Sequence, residues 1–266
     1  AALSLILAGQ ASLELACGNL DAAEARVRDA LAACELTHDG WAFVMAHVVR
    51  VCVAVNRGRW DEVDAMFAEL MKADQRRIAG GFFGAVSAAA LRLLAIALRA
   101  PEAIDRGELS ALVDRALAEG VRGPNVTAYT RLAEVALLLD SVEHTRALEE
   151  PLRLAEAHGF VFVGPRAVLL PRLQAGCALL DGRLDEAATY FERALSRARL
   201  SGARIEIAAT LVERAQMQAR FGRVGRELER ARGDVAEAGA IAREIGLALL
   251  GQRATALTRE LATLGR

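Results

Sequence analysis

The fold of this 266-residue chain is decided by a repeated helix–turn–helix pattern, and its clearest copy is LLDGRLDEAATYFERAL at residues 179–195. Gly182 tolerates the left-handed backbone that ends one helix, and the acidic residue three positions later charges the first turn of the next. Ala187, Phe191 and Ala194 then follow at spacings of four and three residues, which puts them on one helical face. Because the turn is short, the two helices must be antiparallel neighbours. The stretch therefore predicts a helical hairpin with one apolar face.

The same turn recurs at intervals of about 40 residues along the chain. The strong copies are GNLDA at 18–22 and GRWDE at 58–62, and a weaker copy, GRV, begins 40 residues after Gly182. A single pair cannot bury both of its faces, whereas stacked pairs can. We therefore predict an all-α, right-handed α-solenoid of about six antiparallel helix pairs plus a closing helix, forming one array over residues 1–266. The predicted repeat turns lie near residues 18, 58, 100, 140, 182 and 222.

The hydrophobic periodicity predicts helices throughout and no strand of useful length. Two glycine-rich junctions, GGFFG at 80–84 and GFVFVG at 159–164, occupy equivalent places two repeats apart. We interpret them as aromatic plugs that seal the layer where a helix ends, with a loop contributing to a ligand groove as the alternative. The predicted helices span 3–17, 21–36, 41–56, 60–78, 84–99, 108–119, 125–139, 142–158, 166–181, 184–200, 203–221, 225–245 and 247–263.

Composition and charge exclude several functional classes. Thirty-three basic and thirty-four acidic residues leave a net charge of -1, so there is no overall positive field to hold nucleic acid or anionic lipid. No apolar run reaches the length of a membrane span, and we expect neither direct nucleic-acid binding nor a membrane partner. The chain does not open with a pattern typical of a signal peptide. Its four cysteines lack the spacing of a disulfide framework or a CxxC pair, which predicts a cytoplasmic location.

No catalytic constellation is visible in the sequence. The GxSxG and HExxH motifs are absent, and Lys72 is the only lysine, so there is no phosphate-binding loop of the GxxxxGK[ST] type. Cys34, His38, His47 and Cys52 suggest a zinc site, but the last two are five residues apart and diverge around a helix. We favour buried structural cysteines. The prediction is a non-enzymatic protein with no catalytic residue, no metal and no cofactor.

The first helices of the pairs, aligned on the turn glycines, are predicted to form the concave inner wall of the array. Such a wall binds peptides or small molecules through apolar surface and a few polar groups, although the same positions are compatible with a tightly packed interior. A basic run at Arg220, Arg223, Arg226 and Arg230 is interpreted as a solvated face, with a docking patch for an acidic partner as the alternative. The groove candidates are Met45, Val48, Cys52, Thr130, Glu134, Arg172 and Gln216.

With the repeats placed, residues 179–195 resemble the turn and second helix of a tetratricopeptide repeat. The period of about 40 exceeds the usual 34 residues, and this longer form is similar to the helical repeats of the maltose-regulon activator type and of large LuxR-type ATP-binding regulators. Residues 140–257 resemble the C-terminal repeats of bacterial proteins that join a cyclase or DNA-binding domain to a signalling ATPase. The stretches GAR at 202–204, AATL at 208–211 and AREIGL at 242–247 carry this likeness.

The resemblance implies a function that lies in binding. It implies a protein–protein interaction or sensory scaffold segment of a multidomain bacterial signalling or transcriptional regulator. The partner would be a protein or peptide, and an ATPase, cyclase or DNA-binding domain would be attached outside this chain. The alternative is a small-molecule effector domain that controls assembly of the regulator. Repeat motifs of this kind specify fold much better than function.

Overall fold

The structure is a computed structural model that describes residues 2–77, 85–121, 123–221 and 226–264. Within these ranges the chain is all-α, which confirms the predicted class, and the thirteen helices correspond one to one to the predicted ones. They are α1 Ala2–Cys17, α2 Leu20–Thr37, α3 Gly40–Asn56, α4 Trp60–Arg77, α5 Ala85–Arg99, α6 Arg106–Glu119, α7 Gly123–Leu138, α8 Val142–Ala157, α9 Leu170–Leu180, α10 Leu184–Ser201, α11 Arg204–Phe221, α12 Arg226–Ile245 and α13 Ala248–Thr263.

The predicted repeat turns separate consecutive helices. Gly18, Gly58 and Gly182 have φ angles of 84°, 69° and 79°, the left-handed conformation that glycine adopts without steric cost. The degenerate turn near residue 140 is also left-handed, at Asp140. The turn near residue 100 is a 3-10 turn over Pro101–Ala103, and α6 begins only after it. The weakest copy, at 222–224, lies outside the described residues, as does the junction at 80–84.

One predicted helix start is wrong. The helix predicted from residue 166 begins at Leu170, and a short antiparallel hairpin precedes it, with β1 at Phe162–Val163 and β2 at Val168–Leu169. The reason is Pro171, which suits the first turn of a helix but would break a helix that had begun a turn earlier. Around β1, Phe160 and Phe162 are half-buried, and each packs against one of two hydrophobic clusters, as the plug interpretation expects.

The helices pack in a regular order. Consecutive helices contact each other, and the odd-numbered helices also contact one another, as α1 with α3, α5 with α7, α7 with α9 and α11 with α13. The short turns at Gly18, Gly58 and Gly182 make the helices that they join antiparallel. One hydrophobic cluster is built from α5 to α9, and a larger one joins α1 to α4 and part of α5 with α10 to α13.

The larger cluster exists because helices near the start of the chain touch helices near its end. Helix α1 packs against α11, and α3 packs against α13. The first repeat turn reaches the end of α12, where a Cβ added to Gly18 would lie 2.6 Å from the Cδ1 atom of Ile245. This contact joins residues more than 200 positions apart and was not predicted from the repeats. Among the described helices, none is long and apolar enough to cross a bilayer.

Candidate functional site

The candidate site is a pocket of about 610 Å³ that is lined mainly by α5, α7, α9, α11 and α13. The first four are first helices of the predicted pairs and α13 is the predicted closing helix, so most of the pocket lies on the wall that the sequence predicts to face inward. One side of the pocket is apolar and is lined by leucines of α5, α7 and α9. The polar side of the pocket comes mainly from α7, α9, α11 and α13. The leucines are Leu94, Leu98, Leu137, Leu138, Leu179 and Leu180.

Arg172 on α9 is the centre of the polar side. Its guanidinium donates to carboxylates on two other helices: Nε to Oε2 of Glu206 at 2.9 Å, Nη1 to Oε1 of Glu213 at 2.8 Å and Nη2 to Oε1 of Glu134 at 2.8 Å. The Arg172 side chain is only 3% exposed. Burial lowers its pKa, but the three carboxylates more than compensate, so the pKa lies well above the ordinary value. A planar guanidinium with five donors is the side chain that can join three helices in this way.

Glu134 on α7 is shared between two arginines. Its Oε2 accepts from Nη1 of Arg166 at 2.9 Å and its Oε1 accepts from Arg172. Burial raises the pKa of Glu134, and the two guanidinium groups outweigh this and hold it below the ordinary value. Deeper on the same helix, Arg131 donates to the backbone carbonyl and the hydroxyl of Ser87, both at 2.8 Å. Burial lowers the pKa of Arg131 to about 10.

Glu213 and Arg253 are the charged groups at the open part of the pocket. Burial raises the pKa of Glu213, and the nearby carboxylates of Glu206 and Glu134 raise it further. Together they outweigh Arg172 and Arg253, which lower it. Burial lowers the pKa of Arg253 on α13, which donates to the side-chain oxygen of Gln216 at 3.1 Å. Both groups therefore have their charged forms disfavoured by burial in the pocket.

The structure brings three of the sequence-predicted groove residues together. Glu134, Arg172 and Gln216 line the pocket, and the first two form an ion pair. Thr130 is buried one turn before Glu134, and its hydroxyl donates to the Thr127 carbonyl at 3.0 Å. These residues lie on three adjacent odd-numbered helices.

The groove candidates on α3 lie outside the pocket. Cys52 is buried behind the charged cluster, and burial raises the pKa of its thiol despite the nearby Arg166 and Arg131. Val48 is fully buried and Met45 is half-buried against the larger hydrophobic cluster. This part of the wall is packed interior, which was the alternative left open by the sequence.

Sequence reasoning missed four charged residues of the site: Arg166, Glu206, Glu213 and Arg253. Glu206 and Glu213 lie in the first and third turns of α11, the first helix of the predicted sixth pair. On this helix the sequence analysis predicted only Gln216 as a groove residue. The available signal was spacing, because Glu206 and Glu213 follow Arg172 by 34 and 41 residues, close to one repeat. Arg166 stands in the turn of the β hairpin, in a segment predicted to be helical.

The other charged and metal-ligating candidates are placed apart from this cluster. Arg220 lies at the pocket edge, 3.9 Å from Asp140, and Arg230 pairs with Glu192, while Arg223 lies outside the described residues. Cys34 is buried, and the His47 ring lies 4.3 Å from that of Phe43. Within the described ranges, no three His, Cys, Asp or Glu side chains are grouped as metal ligands.

No protein-family model matches the chain, and neither a curated protein nor a solved structure is significantly similar to it.

Proposed function

We propose that this chain is a non-catalytic sensory scaffold segment of a multidomain bacterial signalling or transcriptional regulator. In this proposal the helices form a right-handed solenoid of about six tetratricopeptide-like pairs and a closing helix, and the inner pocket is the effector site. The observation that carries the proposal is the pocket itself, which collects charged side chains from four odd-numbered helices together with leucines of α5, α7 and α9. A ligand held there would contact several repeats at once and bias their relative arrangement.

The dimensions of the pocket favour a small molecule as the effector. Its volume of about 610 Å³ falls within the range of small-molecule sites, which are mostly apolar with a few placed polar groups. Two of the polar lining groups, Glu134 and Glu213, are held in place by hydrogen bonds from Arg172. Small-molecule binding was the alternative reading of the sequence, and the geometry supports it over a protein interface, which normally needs a larger and flatter surface.

The chemistry of the pocket supports a binding role. Its arginines stay protonated at neutral pH and cannot act as general bases. Glu134 is held in its ionised form by two guanidinium groups, and the raised pKa of the Cys52 thiol makes that residue a poor nucleophile. These groups are suited to orienting a charged ligand.

A thermal-shift screen of metabolites tests the proposal. An effector present at one hundred times its Kd stabilises the folded chain by about 2.7 kcal/mol, which corresponds to about 5–10 °C for a chain of this size. In Leu138→Trp the indole fills the pocket, and we expect it to lose the shift. Leu200→Trp is the matched control because Leu200 is 91% exposed and is not among the residues that line the pocket. A screen without a hit, or a shift that Leu138→Trp retains, would contradict the proposal.

A protein or peptide partner is the second candidate. The observation for it is the exposed polar edge of the pocket, where Asp140, Arg220 and Glu260 lie and where the end of a peptide has access. Affinity capture with the wild-type chain and with Leu138→Trp tests it. A partner that depends on the pocket edge is lost from an Asp140→Ala, Glu260→Ala double variant, and a partner retained by that variant would contradict this candidate.

A further inference from the structure

We infer that the effector is an α-amino acid with an apolar side chain, whose ammonium group is bound by Glu213 and whose carboxylate is bound by Arg253. This inference rests on the proposed effector site and names its ligand class. It is carried by the hydrogen-bonding positions that these two residues leave open, by their spacing on two packed helices and by the leucines that line the rest of the pocket.

The charged side chains that line the inner part of the pocket are balanced. Four carboxylates and three guanidinium groups line the whole pocket. Asp140 and Arg220 lie 3.9 Å apart and are largely exposed, and Glu260 is also exposed, so solvent screens these three charges. Two carboxylates and two guanidinium groups remain, and a zwitterion joins them without adding net charge. An anion or a cation would add one uncompensated charge to a partly buried site. The four remaining groups are Glu134, Glu213, Arg172 and Arg253.

Glu213 on α11 has a free acceptor for an ammonium group. Its Oε1 accepts from Nη1 of Arg172 at 2.8 Å, whereas its Oε2 has no hydrogen bond among the residues that the structure describes. The side chain lines the pocket and is 20% exposed, so a ligand can reach it. An ammonium group bound to this oxygen favours the ionised carboxylate and opposes the effect of burial, which raises the pKa of Glu213.

Arg253 on α13 has free donors for a carboxylate. Its Nη2 donates to Oε1 of Gln216 at 3.1 Å, and within the described part of the chain it forms no ion pair within 4.0 Å. Glu213 is a counter-charge to it, since each of the two groups opposes the effect of burial on the pKa of the other. The two charges therefore act on each other without direct contact. The Arg253 side chain is partly exposed and lines the pocket, so its remaining donors are open to a ligand.

The spacing of these two groups suits charges that are carried by one carbon atom. Glu213 and Gln216 are three residues apart on α11, so their side chains are neighbours on one face of the helix. Because Gln216 holds Arg253, the donors of Arg253 lie about one helical turn from the Glu213 carboxylate. The ammonium and carboxylate of an α-amino acid are attached to the same carbon atom and can bridge this gap. In an amino acid with its charges at opposite ends, the hydrocarbon lies between the charges and cannot extend onto the leucines.

The leucines of α5, α7 and α9 provide the surface for an apolar side chain. Each methylene group that is buried against them increases affinity about fourfold. Free leucine and free phenylalanine should therefore bind more tightly than free alanine. The volume of about 610 Å³ is large enough for either of them.

Calorimetric titration of the wild-type chain with free leucine and with three analogues tests the inference. The analogue 4-methylpentanoate lacks the ammonium group, and 3-methylbutylamine lacks the carboxylate. The third, 6-aminohexanoate, is an isomer of leucine with its charges at opposite ends. We expect free leucine to bind about tenfold or more tightly than each analogue, because each analogue loses a hydrogen bond between charged groups or the apolar contact. A tenfold change corresponds to about 1.4 kcal/mol.

Two variants assign the two ends of the ligand. Arg253→Gln should weaken the binding of free leucine about tenfold and should not weaken that of 3-methylbutylamine, which has no carboxylate. Glu213→Gln should weaken the binding of free leucine by a similar factor and should not weaken that of 4-methylpentanoate. Arg259→Gln and Glu237→Gln are the matched controls, because both side chains are exposed and neither lines the pocket. Both controls should bind free leucine as the wild-type chain does.

The outcomes separate the inference from the proposed function. If free leucine and free phenylalanine bind no more tightly than the analogues that lack one charge, the inference is overturned while a Leu138-dependent effector site still stands. The same holds if no amino acid binds but another compound from the screen does. If nothing binds in the pocket, the effector site and the inference both fail. The comparison of ligands needs no variant, so a folding defect in Arg253→Gln or Glu213→Gln would not obscure it.

Discussion

Replacing Arg172 by methionine is the most informative perturbation of the charged cluster. Methionine keeps the length and much of the volume of the side chain but removes the charge and all of its donors. In the wild-type chain Arg172 is 3% exposed, and it holds Glu134 and Glu206, which are 9% and 2% exposed. Among the described residues, the ion pairs of Glu206 and Glu213 within 4.0 Å are those with Arg172, so the substitution removes them, while Glu134 keeps Arg166. The variant therefore tests how much the cluster contributes to joining α7, α9 and α11.

The expected loss follows from the burial of the pair. Removing one partner of a buried ion pair costs about 3–5 kcal/mol, because the other charge stays buried and uncompensated. For a chain of this size that is a decrease in melting temperature of about 6–20 °C. Arg199→Met is the control, since Arg199 donates to both oxygens of Glu237 at 2.8 Å but the two side chains are 53% and 44% exposed. A surface pair contributes at most about 1 kcal/mol.

The assay is urea unfolding followed by far-ultraviolet circular dichroism at several pH values. The folded pKa of Glu134 is lowered, so the stability it gains from its arginines is present above its unfolded pKa and is lost as the pH falls through the folded value. The difference between wild type and Arg172→Met should thus be largest near neutral pH and should shrink towards pH 3. A loss no greater than that of Arg199→Met, or one that does not change with pH, would refute the reasoning.

Three further predictions follow from burial, close approach and hydrogen bonding. Because burial raises the pKa of Glu213, ionisation of this residue disfavours folding at high pH. Glu213→Gln should therefore be at least as stable as the wild-type chain at pH 8, and the difference in stability should disappear below the ordinary pKa of 4.5. A pH series of urea unfolding measures this difference. Gly18→Ala and Gly182→Ala both strain a left-handed turn, but only the alanine at position 18 would also press on Ile245. The melting temperature of Gly18→Ala should therefore fall further than that of Gly182→Ala, by the equivalent of about 1 kcal/mol or more. Equal losses in the two variants would argue against the contact between the first repeat turn and α12. Tyr129→Phe should lose about 1–2 kcal/mol in urea unfolding, because the buried hydroxyl donates to a backbone carbonyl of α6 at 2.7 Å, and an unchanged midpoint would contradict that hydrogen bond.

The sequence predicted part of the candidate site because alignment on the turn glycines selects one helix from each predicted pair. Glu134, Arg172 and Gln216 were found by alignment on the turn glycines alone, and all three line the pocket. Arg253 was missed because it lies on the closing helix, which has no paired partner in the repeat. Arg166 was missed because a helix was predicted where the chain forms a hairpin.

The identity of the charge partners was outside the reach of sequence reasoning. Arg172 could have paired with any acidic residue about one repeat away, and its actual partners depend on how α7, α9 and α11 are rotated about their axes. That rotation is set by side-chain packing along the whole interface. Packing also decided the outcome for Met45 and Cys52. They lie on α3, the first helix of a predicted pair, but they pack into the hydrophobic cluster and do not line the pocket.

The sequence by itself determined the all-α class, the number and approximate bounds of the helices and the positions of the strong turns. These features depend on local chemistry, namely helical periodicity, left-handed glycines such as Gly182 and prolines such as Pro171. Only the tertiary structure decided that α1 and α3 touch α11 and α13, that Cys52 is packed in the interior while Glu134 lines a pocket, and that one guanidinium joins three carboxylates. Small rotations between neighbouring helix pairs accumulate along an array, so its closure and its pocket depend on contacts between residues far apart in the chain.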